Sequence, residues 1–180
     1  TEAVRLDLVR NLRRFTARME IEAGTAHKVE QTFTVELEGG VTLRCRIDRI
    51  DVAADGGAVI VDYKYSGPQH VKDIVDEHEK GTRVQGGLYV QAARSAGYPV
   101  RGMLFAAVRN DQREPEGWRG DLSRVVEMSL DAAARAIEGI RRGVIRPQPA
   151  NPDRCETCEF RDMCRVESAA AVVASGEGAA

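Results

Sequence analysis

The stretch "VIVDYKYSG", residues 59–67, decides how this chain is read. Val59, Ile60 and Val61 form an apolar, β-branched run that reads as a buried strand. Asp62 and Lys64 follow, one residue apart. Side chains alternate along a strand, so residues two apart share a face. A carboxylate and an ammonium therefore project together from the end of a core strand. A surface ion pair is the plain reading of such a pair. A polar site carried by the strand end is the other.

Upstream, "VEQTFTVEL" (29–37) alternates, with Val29, Gln31, Phe33, Val35 and Leu37 on one side. "VTLRCRIDRIDV" (41–52) alternates again, with Val41, Leu43, Cys45 and Ile47 together. Gly39-Gly40 and "AADGG" supply the two turns, so 29–37, 41–52 and 57–65 predict a three-stranded antiparallel meander. Residues 3–19 predict a helix with an apolar stripe of Leu8, Leu12, Phe15 and Met19. Arg10, Arg13, Arg14 and Arg18 lie off that stripe, on a face that is either solvated or in contact with phosphate. Residues 71–80 and 82–97 also predict helices, the second stopped by Gly97 and Pro99. Residues 100–110 predict a strand, 111–120 a polar loop and "SRVVEMSL" (123–130) a fifth strand. A last helix runs from an Asp131 cap to Gly143. The result is an α/β (α+β) domain with about five strands flanked by helices.

Of the 180 residues, 43% are apolar and 30% charged, which describes a globular chain rather than a disordered one. The formal charge of −2 supplies no global basic field, so any nucleic-acid contact must be local. No apolar run is long enough to span a membrane, and no secretory signal is visible. A bacterial cytoplasmic setting is expected. The chain opens at Thr1 without a methionine, as a piece of a larger protein would.

Asp62 and Lys64 have a partner one strand upstream. In "RIDRID", Asp48 and Asp51 fall on opposite faces, and Asp48 comes across the hairpin from Asp62. Adjacent strands lie about 4.8 Å apart, so two carboxylates there can share one hard cation. Mg²⁺ suits the pair, because it binds through one or two carboxylates and keeps waters for substrate. The Tyr63 carbonyl is a candidate further ligand, and Lys64 would face a reacting phosphate. Gln85 and Tyr89 stand at i and i+4 of a helix, on one face. Gly86-Gly87 between them suggests a close backbone approach, to the sheet or to a ligand. An ordinary amphipathic face would carry the same pair. His70 and His78 read as surface residues.

Taken together, these motifs resemble the PD-(D/E)XK nuclease superfamily, in the branch of the RecB and AddB nuclease domains. "CRIDRID" (45–51) matches the family's aspartate strand, "VDYKYSG" its Asp-Tyr-Lys strand end, and Gln85 to Tyr89 its Gln-x-x-x-Tyr helix. The resemblance runs from about Val29 to Arg165. It implies a restriction-endonuclease-like core with a mixed central sheet, with Asp48 and Asp62 as Mg²⁺ or Mn²⁺ ligands. It also implies a catalytic Lys64, and Gln85 and Tyr89 steering a DNA strand or bracing the site. Glu30 would be a further carboxylate or a solvated one. Arg49 would hold a phosphate or a structural ion pair. The chain departs from the family in carrying Cys45 where relatives have glycine, and Gly86-Gly87 where they have Leu-Pro.

Cys155, Cys158 and Cys164 have metal-ligand spacing. The resemblance implies a [4Fe–4S] cluster whose fourth ligand would lie upstream of the chain. Zinc, a partial or empty site, and metal-free thiols are the alternatives, and Cys45 reads as a core residue. The expected organisation is a nuclease core at 1–145, a Cys-rich staple packed on it at 146–166, and a flexible tail at 167–180. The implied activity is metal-dependent hydrolysis of single-stranded DNA or DNA ends, beside a helicase domain or subunit in break repair. A catalytically silent DNA-binding scaffold of the same fold, or a CRISPR-adaptation exonuclease, is the alternative. Relatives of the latter type more often carry Glu-x-Lys at the lysine strand.

Overall fold

The computed structural model describes residues 2–18, 25–109, 114–144, 147, 149 and 152–164. Strands β1 (Ala26–Leu37), β2 (Val41–Val52) and β3 (Ala58–Lys64) form the antiparallel meander that the turn residues predict. The chain then crosses over through helices α2 (Pro68–Glu79) and α3 (Gln85–Ser95). Strand β4 (Val100–Ala107) returns parallel to β3. A parallel neighbour cannot be reached by a hairpin, which is why two helices intervene. Strand β5 (Glu116–Arg119) pairs antiparallel with β4 and completes a mixed five-stranded sheet in the order β1-β2-β3-β4-β5. Helix α1 (Glu2–Arg18) precedes the sheet and α4 (Ser123–Arg141) follows it.

Two compact units divide the chain, residues 1–134 and residues 135–180. The first holds the sheet and its core. Ile50, Ile60, Met103 and Phe105 join Val71, Ile74, Val90, Leu122 and Val125 in one buried cluster. The second holds the end of α4, a short 3₁₀ turn (Pro152–Cys155) and a one-turn helix, α5 (Arg161–Cys164). The predicted tail at 167–180 lies outside the described residues.

Residues 123–130 are the first half of α4 rather than a strand, and the fifth strand comes from inside the predicted 111–120 loop. Val125, Val126, Ser129 and Ala133 are the buried positions of that helix, a spacing of helical period. The adjacent valines favour a strand only locally, and packing overrides that preference. Asp131 accordingly lies inside α4. The turn into the helix is made by Asp121, whose Oδ1 accepts the Ser123 N–H at 2.9 Å.

Helix α1 also turns differently from its predicted stripe. Leu8 and Leu12 are 39% and 43% exposed, whereas Asn11 is buried and Phe15 packs edge-on against Tyr63. The Asn11 amide can go inward because Asp7 O and Asp7 Oδ2 accept from it at 2.9 and 3.0 Å. Met19 lies outside the described residues.

The Gly86-Gly87 pair does mark a close approach, but to other protein groups. A Cβ at Gly87 would collide with Ser129 Oγ and the Val125 carbonyl of α4. Only glycine lets α3 and α4 touch backbone to side chain there. Gly87→Ala should therefore lower stability by about 1–3 kcal/mol through overpacking, read as a lower urea midpoint at unchanged slope.

Candidate active site

Asp62 occupies the last turn of the pleat in β3, beside Phe105 of β4. It is 2% exposed. The residues before it, Ile60 and Val61, are core side chains, so the carboxylate is drawn inside with them. Lys64 lies two residues on and places its Nζ 2.6 Å from Asp62 Oδ2. The Lys64 ammonium stands 5.8 Å from the centre of the Phe105 ring and donates to Gln85 Oε1 at 3.0 Å.

Gln85 opens α3 and uses its whole amide. Its Nε2 donates to Asp62 Oδ1 and to the Tyr89 hydroxyl, each at 3.1 Å. The reverse orientation would set the NH₂ against an ammonium and the carbonyl against a carboxylate, so the network itself fixes the amide. Asp62 Oδ2 receives no well-aligned hydrogen bond; the ion pair with Lys64 is its contact. Burial pushes the Asp62 carboxyl above its ordinary range, Lys64 pulls it back, and the charge of Asp48 pushes it up further. Burial likewise raises the Tyr89 phenol, against the hydrogen bond with Gln85.

Asp48 reaches this group through a local change in β2. Arg49 faces Val61 in the ladder, so Asp48 falls opposite Asp62. Cys45 and Ile47 are buried on odd positions, and Ile50 is buried on an even one. Strict alternation cannot bury both Ile47 and Ile50. The β1–β2 pairing skips at Glu30 and Asp48, where Glu30 has φ 52°. Beyond the skip, Asp48 has the parity of Ile50, which pairs with Ile60 and so shares the face of Asp62. Its Oδ2 accepts the Tyr63 N–H at 3.0 Å, tying the two strand ends together.

The other candidates lie elsewhere. Glu30 pairs with Arg46 at 3.0 Å, and both are exposed. Arg49 points away from Asp62 and donates from Nε and Nη2 to the two oxygens of Asp51, at 2.5 and 2.6 Å. It also donates to the Tyr63 hydroxyl at 3.1 Å. His27 completes that reverse-face set, 2.6 Å from Asp51 Oδ1. Cys45 is buried, as expected of a core residue, and desolvation raises its thiol. Cys155 is half-buried and Cys158 and Cys164 are exposed. Among the described residues no three His, Cys, Asp or Glu side chains are gathered closely enough to enclose a metal. The three thiols are thus not drawn around a common point.

A divalent cation of the Mg²⁺ type is a different case, because it needs only one or two carboxylates and takes its remaining oxygens from water and phosphate. Asp48 and Asp62 oppose each other across two strands, and the buried Asp62 Oδ2 has the Lys64 ammonium as its contact. Two hard carboxylates whose charges repel fit such an ion, with the Tyr63 peptide between them.

Sequence reasoning missed His78, which is 1% exposed rather than on the surface. Its Nε2 accepts the Gly86 N–H at 2.8 Å, so Nδ1 carries the proton and donates to Ile74 O at 2.7 Å. The ring thus satisfies an N–H in the first turn of α3, next to Gln85. Its place on the same helical face as the buried Val71 and Ile74 was the available signal.

The sequence pattern described as the PD-(D/E)XK nuclease superfamily matches residues 3–165. No curated protein matches the chain. The solved structure of SSO0001 is similar at 15% identity and TM-score 0.43, covering 77% of this chain and 59% of its own. A Eubacterium rectale protein that carries the name of an exonuclease is similar at 20% identity and TM-score 0.45, covering 88% and 57%. The chain therefore spans less than two thirds of either structure.

Burial holds the His78 pKa below its ordinary value. The unfolded chain then binds the extra proton first as pH falls. The stability tied to a neutral His78 is complete above about pH 6.5 and is lost as pH drops through the folded value. Denaturant midpoints measured from pH 7.5 to 5 should fall, and should fall less in a His78→Gln variant; equal slopes would overturn the assignment.

Proposed function

The chain belongs to the PD-(D/E)XK nuclease superfamily, and from that premise we propose that Asp48, Asp62 and Lys64 form the centre of a metal-dependent deoxyribonuclease. The observation that carries the reading is the closed network of Asp62, Lys64, Gln85 and Tyr89, with Asp48 opposite Asp62.

Each side chain has a separate task. Asp48 and Asp62 would hold Mg²⁺ or Mn²⁺, with the Tyr63 carbonyl as a further oxygen; such an ion supplies charge for the phosphate oxygens and lowers the pKa of a bound water. Lys64 keeps its ammonium at the strand end, where it orients the attacking water or stabilises charge developing on phosphorus. Held by Asp62 and Gln85, it needs no reorganisation when substrate arrives. Gln85 and Tyr89 act by positioning. The amide locks Lys64 and Asp62 to α3, and the phenol locks the amide. The substrate is single-stranded DNA or DNA ends.

The same reading extends to context. The Asp-Tyr-Lys strand end and Phe160-Arg161 between the cysteines support the nuclease module of a helicase–nuclease in double-strand-break repair, working in the bacterial cytoplasm. Cys155, Cys158 and Cys164 would hold an iron–sulfur cluster or zinc in a structural role. No catalytic step passes through that group. The Cys158 N–H donates to the Cys155 carbonyl at 3.3 Å, the tight turn that a Cys-x2-Cys pair uses to direct two thiolates at one metal. Anaerobically purified protein should be brown and contain iron; a colourless protein holding neither iron nor zinc would remove this part of the reading.

Labelled single-stranded DNA should be cut in Mg²⁺ or Mn²⁺ and left intact in EDTA. Lys64→Ala and Asp62→Asn should each lower the rate by about 10²-fold or more while DNA binding persists, as expected for groups that act on the transition state. Binding without cleavage by the unmodified chain would point instead to a silent scaffold.

A further inference from the structure

Directly after Lys64, the strand end carries a second feature that the hydrolytic network leaves unused. Tyr65 is 48% exposed, the one aromatic side chain among the exposed large apolar residues of the first unit's described part. The other described Phe, Tyr and Trp rings there are at least half-buried, in clusters such as Phe105–Trp118 and Phe33–Tyr98. A single exposed aromatic is unremarkable by itself. This one is held in place on two sides.

Its hydroxyl stands 3.4 Å from both Asp7 Oδ2 and Asn11 Nδ2 of α1. The Arg109 guanidinium lies 5.6 Å from the centre of its ring. Arg109 is placed by backbone. The Val108 N–H donates to Lys64 O at 2.8 Å and the Arg109 N–H to Ser66 O at 3.1 Å. These two bonds tie the chain just past β4 to the bend just past β3 and set Arg109 beside Tyr65. At the bend that follows β3 the Tyr65 ring turns toward α1, while the Lys64 ammonium, one residue earlier, faces α3. A chain of nucleotides crossing that end of the sheet meets both.

We propose that Tyr65 and Arg109 form a stacking subsite for one unpaired base of a single-stranded nucleic acid whose phosphate lies at Lys64. The inference rests on the nuclease reading of the Lys64 site and names the form of its substrate. A base stacks on a tyrosine ring whatever its identity, so the subsite is tolerant of sequence. The planar Arg109 guanidinium can extend the stack or pair with the adjoining phosphate. Within a duplex the base faces are already stacked on neighbours, so the subsite selects single strands.

The test measures binding by the whole chain in EDTA, so that no substrate is consumed. Tyr65→Ala should weaken oligothymidylate binding about tenfold, the scale of losing one base–aromatic stack. Tyr65→Phe, which keeps the ring and drops the hydroxyl, should bind as the unmodified protein does. Binding of covalently closed duplex, and of an oligonucleotide of abasic sugars, should not respond to Tyr65→Ala. Thermal melts of both variants control for folding. Equal oligothymidylate binding by Tyr65→Ala and the unmodified chain overturns the subsite, as does an equal loss on the abasic strand. If the unmodified chain cleaves DNA while Tyr65→Ala binds normally, only the subsite falls. If it neither binds nor cleaves any nucleic acid, the nuclease reading falls and the subsite with it.

Discussion

Asp62 sits at the end of a strand whose preceding residues make the core, and its carboxylate is almost wholly removed from water. Burying a lone carboxylate costs several kcal/mol unless it is paired and hydrogen-bonded. Lys64 and Gln85 meet that cost from two different elements, one along the strand and one at the start of α3. The rest of the unit follows from keeping those two groups in reach. α3 must begin at Gln85, and its first turn must lie against β3. The crossover between β3 and its parallel neighbour β4 must carry both helices.

The packing beneath the site serves this placement. His78 accepts the Gly86 N–H, and glycine at 87 lets α4 close onto α3. A side chain at 87 or a proton on His78 would push the helix start away from β3. Phe105 fills the space under Lys64 and contacts the His78 ring, so the ammonium stands over an apolar floor. On the reverse face, Arg49, Asp51 and His27 clamp β1 to β2, and Arg49 reaches the Tyr63 hydroxyl. Tyr63 thus has its backbone held by Asp48 and its side chain held from behind.

Much of the molecule was legible in residue order. The three-stranded meander follows from alternation and turn residues. The pairing of Gln85 with Tyr89 follows from four-residue spacing on a helix. Two strong local signals misled. Val125-Val126 reads as strand, yet the 125, 126, 129, 133 pattern belongs to a helix packed on α3. Leu8 and Leu12 read as the inner face of α1, yet the helix turns Asn11 inward because polar partners wait there. His78 read as surface because a histidine's burial depends on having acceptors and donors from other turns of chain.

The sequence by itself determined which residues belong to strands and helices over most of the first unit, and that a carboxylate and an ammonium would share a strand face. Both follow from periods of two and 3.6 residues, which need no knowledge of neighbours. Hairpin spacing also put Asp48 across from Asp62, but only the tertiary structure decided how Asp48 turns toward that face. Its inward direction depends on the phase change between Ile47 and Ile50, made where the β1–β2 ladder skips at Glu30. A phase change is a property of two paired strands, set by what each must bury, and a periodic reading of either strand alone points Asp48 the other way.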